Sequence, residues 1–369
     1  MMRLKIEPMS PIFIGSGEKV TKFEMLIRGD RTYILDFDKL MNDDKFVEEF
    51  VNRVDRILNP SEKDKALEDI FRKLNINIDT VKKHDFKTII DKKTGKPRTL
   101  QIHTFISSAG RKYIPGSSLK GAIRTALIKQ YLSDEFAKHL ESRYRNVENE
   151  IFGDAKKSVF KFLQISDSTY INSKFIAFKM YRILNILKQK GSIPQFLEIW
   201  LPKKVTNIPE ENYVECTLEF KTSWYRKNQS AGTIRAEGKI THISSTLEDK
   251  QKFIAIMKEI AKNSIEREKT RISQMIDKNA QQQLMRFYDE LSKENQKDNV
   301  FVLRVGGHSG FYSKTAFTKP LTQAQIETLR KINRHWKFNP AMFPVTVRVV
   351  DVNASTIMPL GWLKVTVTN

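Results

Sequence analysis

Four short segments carry residue types and spacings that can do chemistry. The first is Tyr113-Ile114-Pro115-Gly116-Ser117-Ser118-Leu119-Lys120, in which a proline and a glycine end an extended piece and a helix follows. Ser117 or Ser118 is a good N-cap, because a hydroxyl there can satisfy a first-turn amide. The remaining amides and the positive end of the helix dipole make an anion site. Lys120 and Arg124 are four apart and share a helical face beside that end, while Leu119, Ile123 and Leu127 share the opposite, buried face. An ordinary capped helix with two exposed cations would carry the same pattern. The glycine-lysine spacing of a nucleotide-binding P-loop is absent.

The second segment runs from Leu303 to Thr315. Gly306, Gly307 and Gly310 follow an apolar run, so the backbone can approach a ligand closely and present amides to phosphate. Arg304, Lys314, Ser309 and Ser313 add charge and donors, and Phe311 and Tyr312 offer rings for stacking on a base. A turn needed only for packing would also use these glycines. No Gly-x-Gly-x-x-Gly opens a helix here, which argues against a dinucleotide cofactor. The third segment, 10–19, places Gly15 and Ser16 in a turn with amide donors. In the fourth, 224–235, Trp224 and Tyr225 interleave with Arg226, Lys227 and Arg235, a mixture that suits single-stranded RNA and equally suits a strand end with a basic hairpin.

Catalytic constellations are poor. None of the six histidines stands in a metal-ligand spacing, so no metal and no cofactor is expected. His308 is the one histidine in a suggestive setting, within the glycine turn. Cys216 alternates with apolar residues and reads as a buried, inert thiol.

The elements that position these segments read as α+β. Strands are expected at 2–8, in two pieces over 23–36, and at 99–106, 159–166, 174–183, 214–220, 233–244, 300–305, 345–352 and 362–367. Helices are expected over 38–74, 117–132, 247–296 and 323–332. Residues 82–98 read as a basic loop, and 191–209 as a loop-rich boundary. This order suits ferredoxin-like (RRM-like) sheets with helices on one face, in two halves. The expected division is 1–209, with a helical insertion at about 38–80, and 210–369, with a helical insertion at about 247–296.

At 369 residues the chain is long enough for one or two cores. Its 64 Lys and Arg against 43 Asp and Glu leave a net charge of +21, which favours a polyanionic partner such as nucleic acid. One cysteine excludes an internal disulfide framework and fits a reducing compartment. No run approaches the roughly 18 apolar residues of a membrane span, and no signal-peptide core follows the N-terminus, so a cytoplasmic protein is expected.

Several landmarks, in order, carry a family resemblance: the 10–20 segment, 113–127, Ile165-Ser166-Asp167-Ser168, the 306–315 loop and Pro359-Leu360-Gly361-Trp362. With them the chain resembles the RAMP superfamily of CRISPR proteins. More closely, it is similar to the Csm-family RAMP subunit that caps the crRNA 3′-end side of the type III-A effector complex, the fifth in that naming. His308 departs from the family, which tends to have a smaller residue there. The resemblance implies a RAMP, ferredoxin-like core and a non-catalytic subunit that binds crRNA and supports its 3′-end maturation in antiviral defence. It implies crRNA, target RNA, the backbone and small Csm subunits and a host nuclease that trims the 3′ end as partners, with no membrane. The residues expected on RNA are Gly15, Ser16, Ser117, Ser118, Lys120, Arg124, Arg235, Gly306, Gly307, His308, Ser309, Gly310, Phe311 and Lys314. The alternative is a metal-independent RAMP endoribonuclease for precursor crRNA, with His308 as base and Lys314 steadying charge.

Overall fold

The computed structural model describes residues 1–91, 94–97, 100–131, 149, 151–154, 156–188, 195–234, 239–315, 321–332 and 342–368. The chain packs as two units, Met1–Ser16 with Phe105–Asn369, and Gly17–Thr104.

The larger unit is mixed α+β. Its first sheet runs in the order Val300–Arg304, Trp362–Thr368, Met2–Pro8, Val214–Phe220, Leu163–Ile165, with every neighbour antiparallel. Period-2 alternation sets its faces. Leu4 lies opposite Cys216 and Val367, and Ile6 lies opposite Val214 and Val365, so these apolar residues share one face. That face packs with Leu119, Ile123 and Leu127 of the Gly116–Tyr131 helix and with Phe253 and Met257 of the Lys250–Ile272 helix. Cys216 is buried, and its thiol is pushed up to about 12 by desolvation, which keeps it unreactive. Val302 and Trp362 belong to a second core. This core includes Leu284, Phe287 and Leu291 of the Lys278–Gln296 helix, with Leu197, Ile199, Val347 and Val349 of a second sheet. The second sheet includes, in order, Ile357–Pro359, Thr346–Asp351, Ile176–Asn185 and Gln195–Trp200. Both sheets take strands from either side of residue 209.

The smaller unit pairs the strands Met25–Arg28, Arg31–Leu35 and Lys82–Lys87. Its helices, among them Asp44–Asn52 and Lys63–Lys73, close a core around Phe46, Leu67, Ile70 and Phe71.

Four local expectations are corrected. Part of the basic loop, 82–87, is a strand, held by ion pairs of Asp85 with Arg31 and Lys82 that offset its positive charge; residues 92, 93, 98 and 99 lie outside the described residues. The run at 159–166 opens as a 3₁₀ turn, Val159–Phe162, before the short strand Leu163–Ile165. Residues Thr222–Ser230 are a helix, because Tyr225 turns inward against Phe162 and Phe220 while Trp224 stays exposed. Lys239–Glu248 is also a helix. Its β-branched residues favour a strand, but Ile243 and Leu247, four apart, are its buried apolar pair, and that spacing suits a helix. Among the described residues no helix is long and apolar enough to cross a membrane.

Candidate nucleic-acid interface

The Gly116–Tyr131 helix begins where the sequence places its start, but its cap comes from elsewhere. The Gly116 amide donates to Asp167 Oδ1 at 2.8 Å. The Pro115 carbonyl accepts from the Ser118 amide at 2.9 Å and the Leu119 amide at 3.3 Å. Ile114 and Ser168 exchange two bonds, Ile114 N–H to Ser168 Oγ at 2.9 Å and Ser168 N–H to the Ile114 carbonyl at 3.0 Å. This clamp brings Ile165 so near that a Cβ on residue 116 would overlap its carbonyl oxygen, so only glycine fits. The anion expected at this helix end is therefore met first by a carboxylate of the protein. Ser117 is left exposed on the first turn.

Lys120 and Arg124 do not stand free beside that end. Lys120 Nζ donates to the Leu163 carbonyl at 2.6 Å, and burial, together with the nearby Arg124 charge, holds its pKa below the usual lysine range. The Arg124 guanidinium lies 5.7 Å from the Phe152 ring centroid. The long stems of both side chains let their heads find partners on the protein.

The glycine-rich loop is shaped by Phe13. Gly307 N–H donates to the Phe13 carbonyl at 2.7 Å. Gly306, at φ +82°, passes so close to that carbonyl that a Cβ would overlap it. The Gly307 amide is thus engaged within the protein rather than held out to a ligand. Gly310, at φ +97°, opens the short Phe311–Lys314 helix. Ser309 Oγ donates to the Gly306 carbonyl at 3.0 Å and lies 2.7 Å from Ser313 Oγ, which donates to the Gly310 carbonyl at 2.8 Å. The His308 ring centroid lies 5.4 Å from that of Phe13 and 4.9 Å from that of Tyr181. Tyr312 is buried, with its hydroxyl on the Phe343 carbonyl at 3.0 Å, and cannot stack on a base; Phe311 packs edge-on against Phe343 at 5.0 Å.

These pieces converge. A cleft of about 370 Å³ is lined by Gly15, Ser117 and Ser118 on one side and by Gly306, Gly307, Ser309 and Lys314 on the other. Arg304, Ser313, Gly121, Ala122 and Thr125 complete much of its wall, and among the described residues no carboxylate lines it. Lys120 and Arg124 are not on this wall: the helix turns its 117, 118, 121, 122 and 125 face to the cleft. Nothing in the local pattern distinguishes that small-residue face as a wall. Ser16 follows Gly15 at the start of the Gly15–Lys19 strand. His308, Gly310 and Phe311 line a second cavity on the other side of the loop, with Arg304, Ser309 and Lys314 shared between the two. Arg235 lies outside the described residues.

The strands Trp362–Thr368, Met2–Pro8, Val214–Phe220 and Leu163–Ile165 lie side by side in the antiparallel order of a ferredoxin-like sheet, and the glycine-lined cleft lies in the same unit. The model of the RAMP superfamily matches residues 5–310, and the chain belongs to that superfamily. Within it, the chain is similar to proteins named Csm5, as the sequence landmarks indicate. The CRISPR system Cms protein Csm5 of Methanocaldococcus jannaschii is 29% identical over 408 residues, covering 99% of this chain and 88% of that protein. The protein of the same name from Mycobacterium tuberculosis is 24% identical over 60% of this chain and 68% of its own length. A chain of a cryo-EM structure described as a Csm-crRNA-target RNA ternary complex in a type III-A CRISPR-Cas system has a TM-score of 0.71 at 20% identity, over 100% of both chains. The crystal structure of T. onnurineus Csm5 has a TM-score of 0.65 at 20% identity, covering 97% of this chain and 99% of that one. At this identity the structural likeness is one of fold.

Proposed function

We propose that the chain is a crRNA-binding subunit of a type III-A CRISPR effector complex. In this reading it caps the backbone filament near the crRNA 3′ end, supports 3′-end maturation and has no nuclease activity of its own. The observation that carries the reading is the convergence of the Gly15 turn, the Ser117–Ser118 helix start and the 306–314 loop on one cleft that no carboxylate lines among the described residues. Hydroxyls and two cations, Arg304 and Lys314, suit a phosphate backbone, and the net charge of +21 attracts it from a distance. The similarity to Csm5 proteins and the fold shared with a chain of a Csm-crRNA-target RNA complex support the same assignment.

The direct test is to purify the effector complex with and without this chain and sequence the ends of the bound crRNA. Longer, untrimmed 3′ ends in its absence are expected; unchanged crRNA in an intact complex would overturn the maturation role. Ser117→Glu and Lys314→Glu should each weaken binding of single-stranded RNA. For Lys314→Glu, the slope of log affinity against log salt should fall by about 0.7 for one lost phosphate contact. Cleavage of repeat RNA by the protein alone in chelator, lost in His308→Ala, would instead establish the endoribonuclease.

A further inference from the structure

The Lys250–Ile272 helix buries three charged residues, Arg267, Glu268 and Arg271. Glu268 accepts from Arg271 Nη1 at 2.6 Å and faces Arg304 Nη1 at 3.4 Å. Lys129, also buried, donates from the neighbouring helix to the Tyr312 carbonyl at 2.6 Å. The Arg267 guanidinium lies over the Tyr312 ring, 4.3 Å from its centroid. Among the described residues one carboxylate, Glu268, thus stands between the Arg271 and Arg304 guanidiniums. Lys129 responds by dropping to about 7, with desolvation the main cause and the Arg267 and Arg304 charges adding to it. Arg271 and Arg304 cannot neutralise themselves, so among the described residues two guanidiniums share the single charge of Glu268. Buried charge without a counter-charge is costly.

That excess lines a cavity of about 540 Å³. Arg271, Arg304, Arg348 and Lys314 are on its wall, with Glu268 as its carboxylate. Arg271 is 6% exposed. Its Nη2 donates to the Pro344 and Thr346 carbonyls, each at 2.9 Å, while its buried Nε has no acceptor among the described residues. Neither Arg348 nor Lys314 has an ion-pair partner among the described residues. Phe311 and Phe343 supply apolar surface on the same wall. Arg304, Ser309 and Lys314 line both this cavity and the 370 Å³ cleft, so the two adjoin across the glycine-rich loop.

We propose that this cavity is a nucleotide pocket: one nucleotide of the bound RNA leaves the cleft there, its phosphate facing Arg271, Arg304, Arg348 and Lys314 and its base beside Phe311 and Phe343. The inference rests on the reading of the cleft as the RNA groove. The volume lies within the range of small-ligand sites, roughly 300–1,000 Å³, and the phosphate supplies the charge that Glu268 alone does not balance. The phosphate is either an internal diester or a terminal monoester.

The test uses the full chain. Uridine monophosphate at millimolar concentration should raise the melting temperature of the wild-type protein, and Arg348→Glu should abolish that rise. Arg348→Glu and the milder Arg348→Gln should also raise the Kd for a labelled single-stranded RNA, by about tenfold for the charge reversal, the scale of one lost charged hydrogen bond. RNAs ending in a 3′-phosphate or a 3′-hydroxyl identify the source. A penalty equal for both supports an internal diester, and a penalty confined to the 3′-phosphate supports a terminal one. No melting shift with the mononucleotide, together with wild-type RNA affinity in both Arg348 variants, would overturn the pocket. If Ser117→Glu still weakens RNA binding in that case, the cleft stands and only the pocket is lost. If Ser117→Glu and Lys314→Glu also bind normally, the reading of the cleft has failed.

Discussion

The Asp167 carboxylate accepts a 2.8 Å hydrogen bond from the backbone amide of Gly116, so the first turn of the Gly116–Tyr131 helix already holds an anion of the protein's own. On the proposed reading, phosphate in the adjoining cleft is met by the serine hydroxyls and by Arg304 and Lys314. Asp167→Ala should cost about 1 kcal/mol, the usual effect of removing such a cap, while Asp167→Asn, which keeps an acceptor, should cost less. Urea denaturation at neutral pH measures both, and equal losses would mean that charge rather than hydrogen bonding holds this helix start.

Gly306 and Gly310 separate two reasons for glycine. Both have positive φ, but a Cβ on Gly306 would also overlap the Phe13 carbonyl, whereas Gly310 has open space. Gly310→Ala should lose roughly 1–2 kcal/mol from backbone strain alone. Gly306→Ala should lose clearly more and disturb RNA binding with it. A comparison of melting temperatures decides, and a Gly306→Ala protein as stable as Gly310→Ala would contradict the close approach.

Lys129 makes stability depend on pH. Its folded value of about 7 lies below the ordinary 10.5. Between those values the unfolded chain holds a proton that the folded chain does not, so stability rises as pH rises through this window. The slope it adds is at most about 1.4 kcal/mol per pH unit. Below pH 7 both states carry the ammonium, and the cost of burying it is borne in full. Lys129→Met should remove the added slope between pH 7 and 9.5 in denaturant titrations; an unchanged slope would place the titration elsewhere.

Glu198 closes a small network. Its Oε2 accepts from the Phe105 amide and from Lys112 Nζ, both at 2.8 Å, and Lys112 Nζ also donates to the Phe105 carbonyl at 3.1 Å. Glu198 is buried, so Glu198→Gln leaves the Lys112 ammonium without its counter-charge and should cost about 2–3 kcal/mol. A double-mutant cycle with Lys112→Met should show coupling of about 1–3 kcal/mol; additive losses would show that the two residues do not act together.

The sequence by itself determined the elements whose pattern is local. Leu119, Ile123 and Leu127 mark one face of the 116–131 helix, Val214, Cys216 and Leu218 alternate along a strand, and glycines stand directly after the 300–304 strand. It also brought Ser117, Ser118 and residues of the 306–314 loop forward among those expected on RNA. Tertiary structure decided what local spacing leaves open. Thr222, Trp224 and Tyr225 and the β-branched residues of 239–248 suit a strand, yet both segments are helices that bury Tyr225, Ile243 and Leu247. Lys120 reaches the Leu163 carbonyl instead of the cleft because that oxygen, 43 residues away, lies within its reach. Asp167 finds Gly116, Phe13 bends the glycine loop, and Lys129, Arg267, Arg271 and Arg304 gather around Glu268 from three separate segments. A helical or strand period fixes which side chains share a face. What that face meets depends on contacts between distant parts of the chain, and those contacts alone set which amides, carboxylates and cations remain for a ligand.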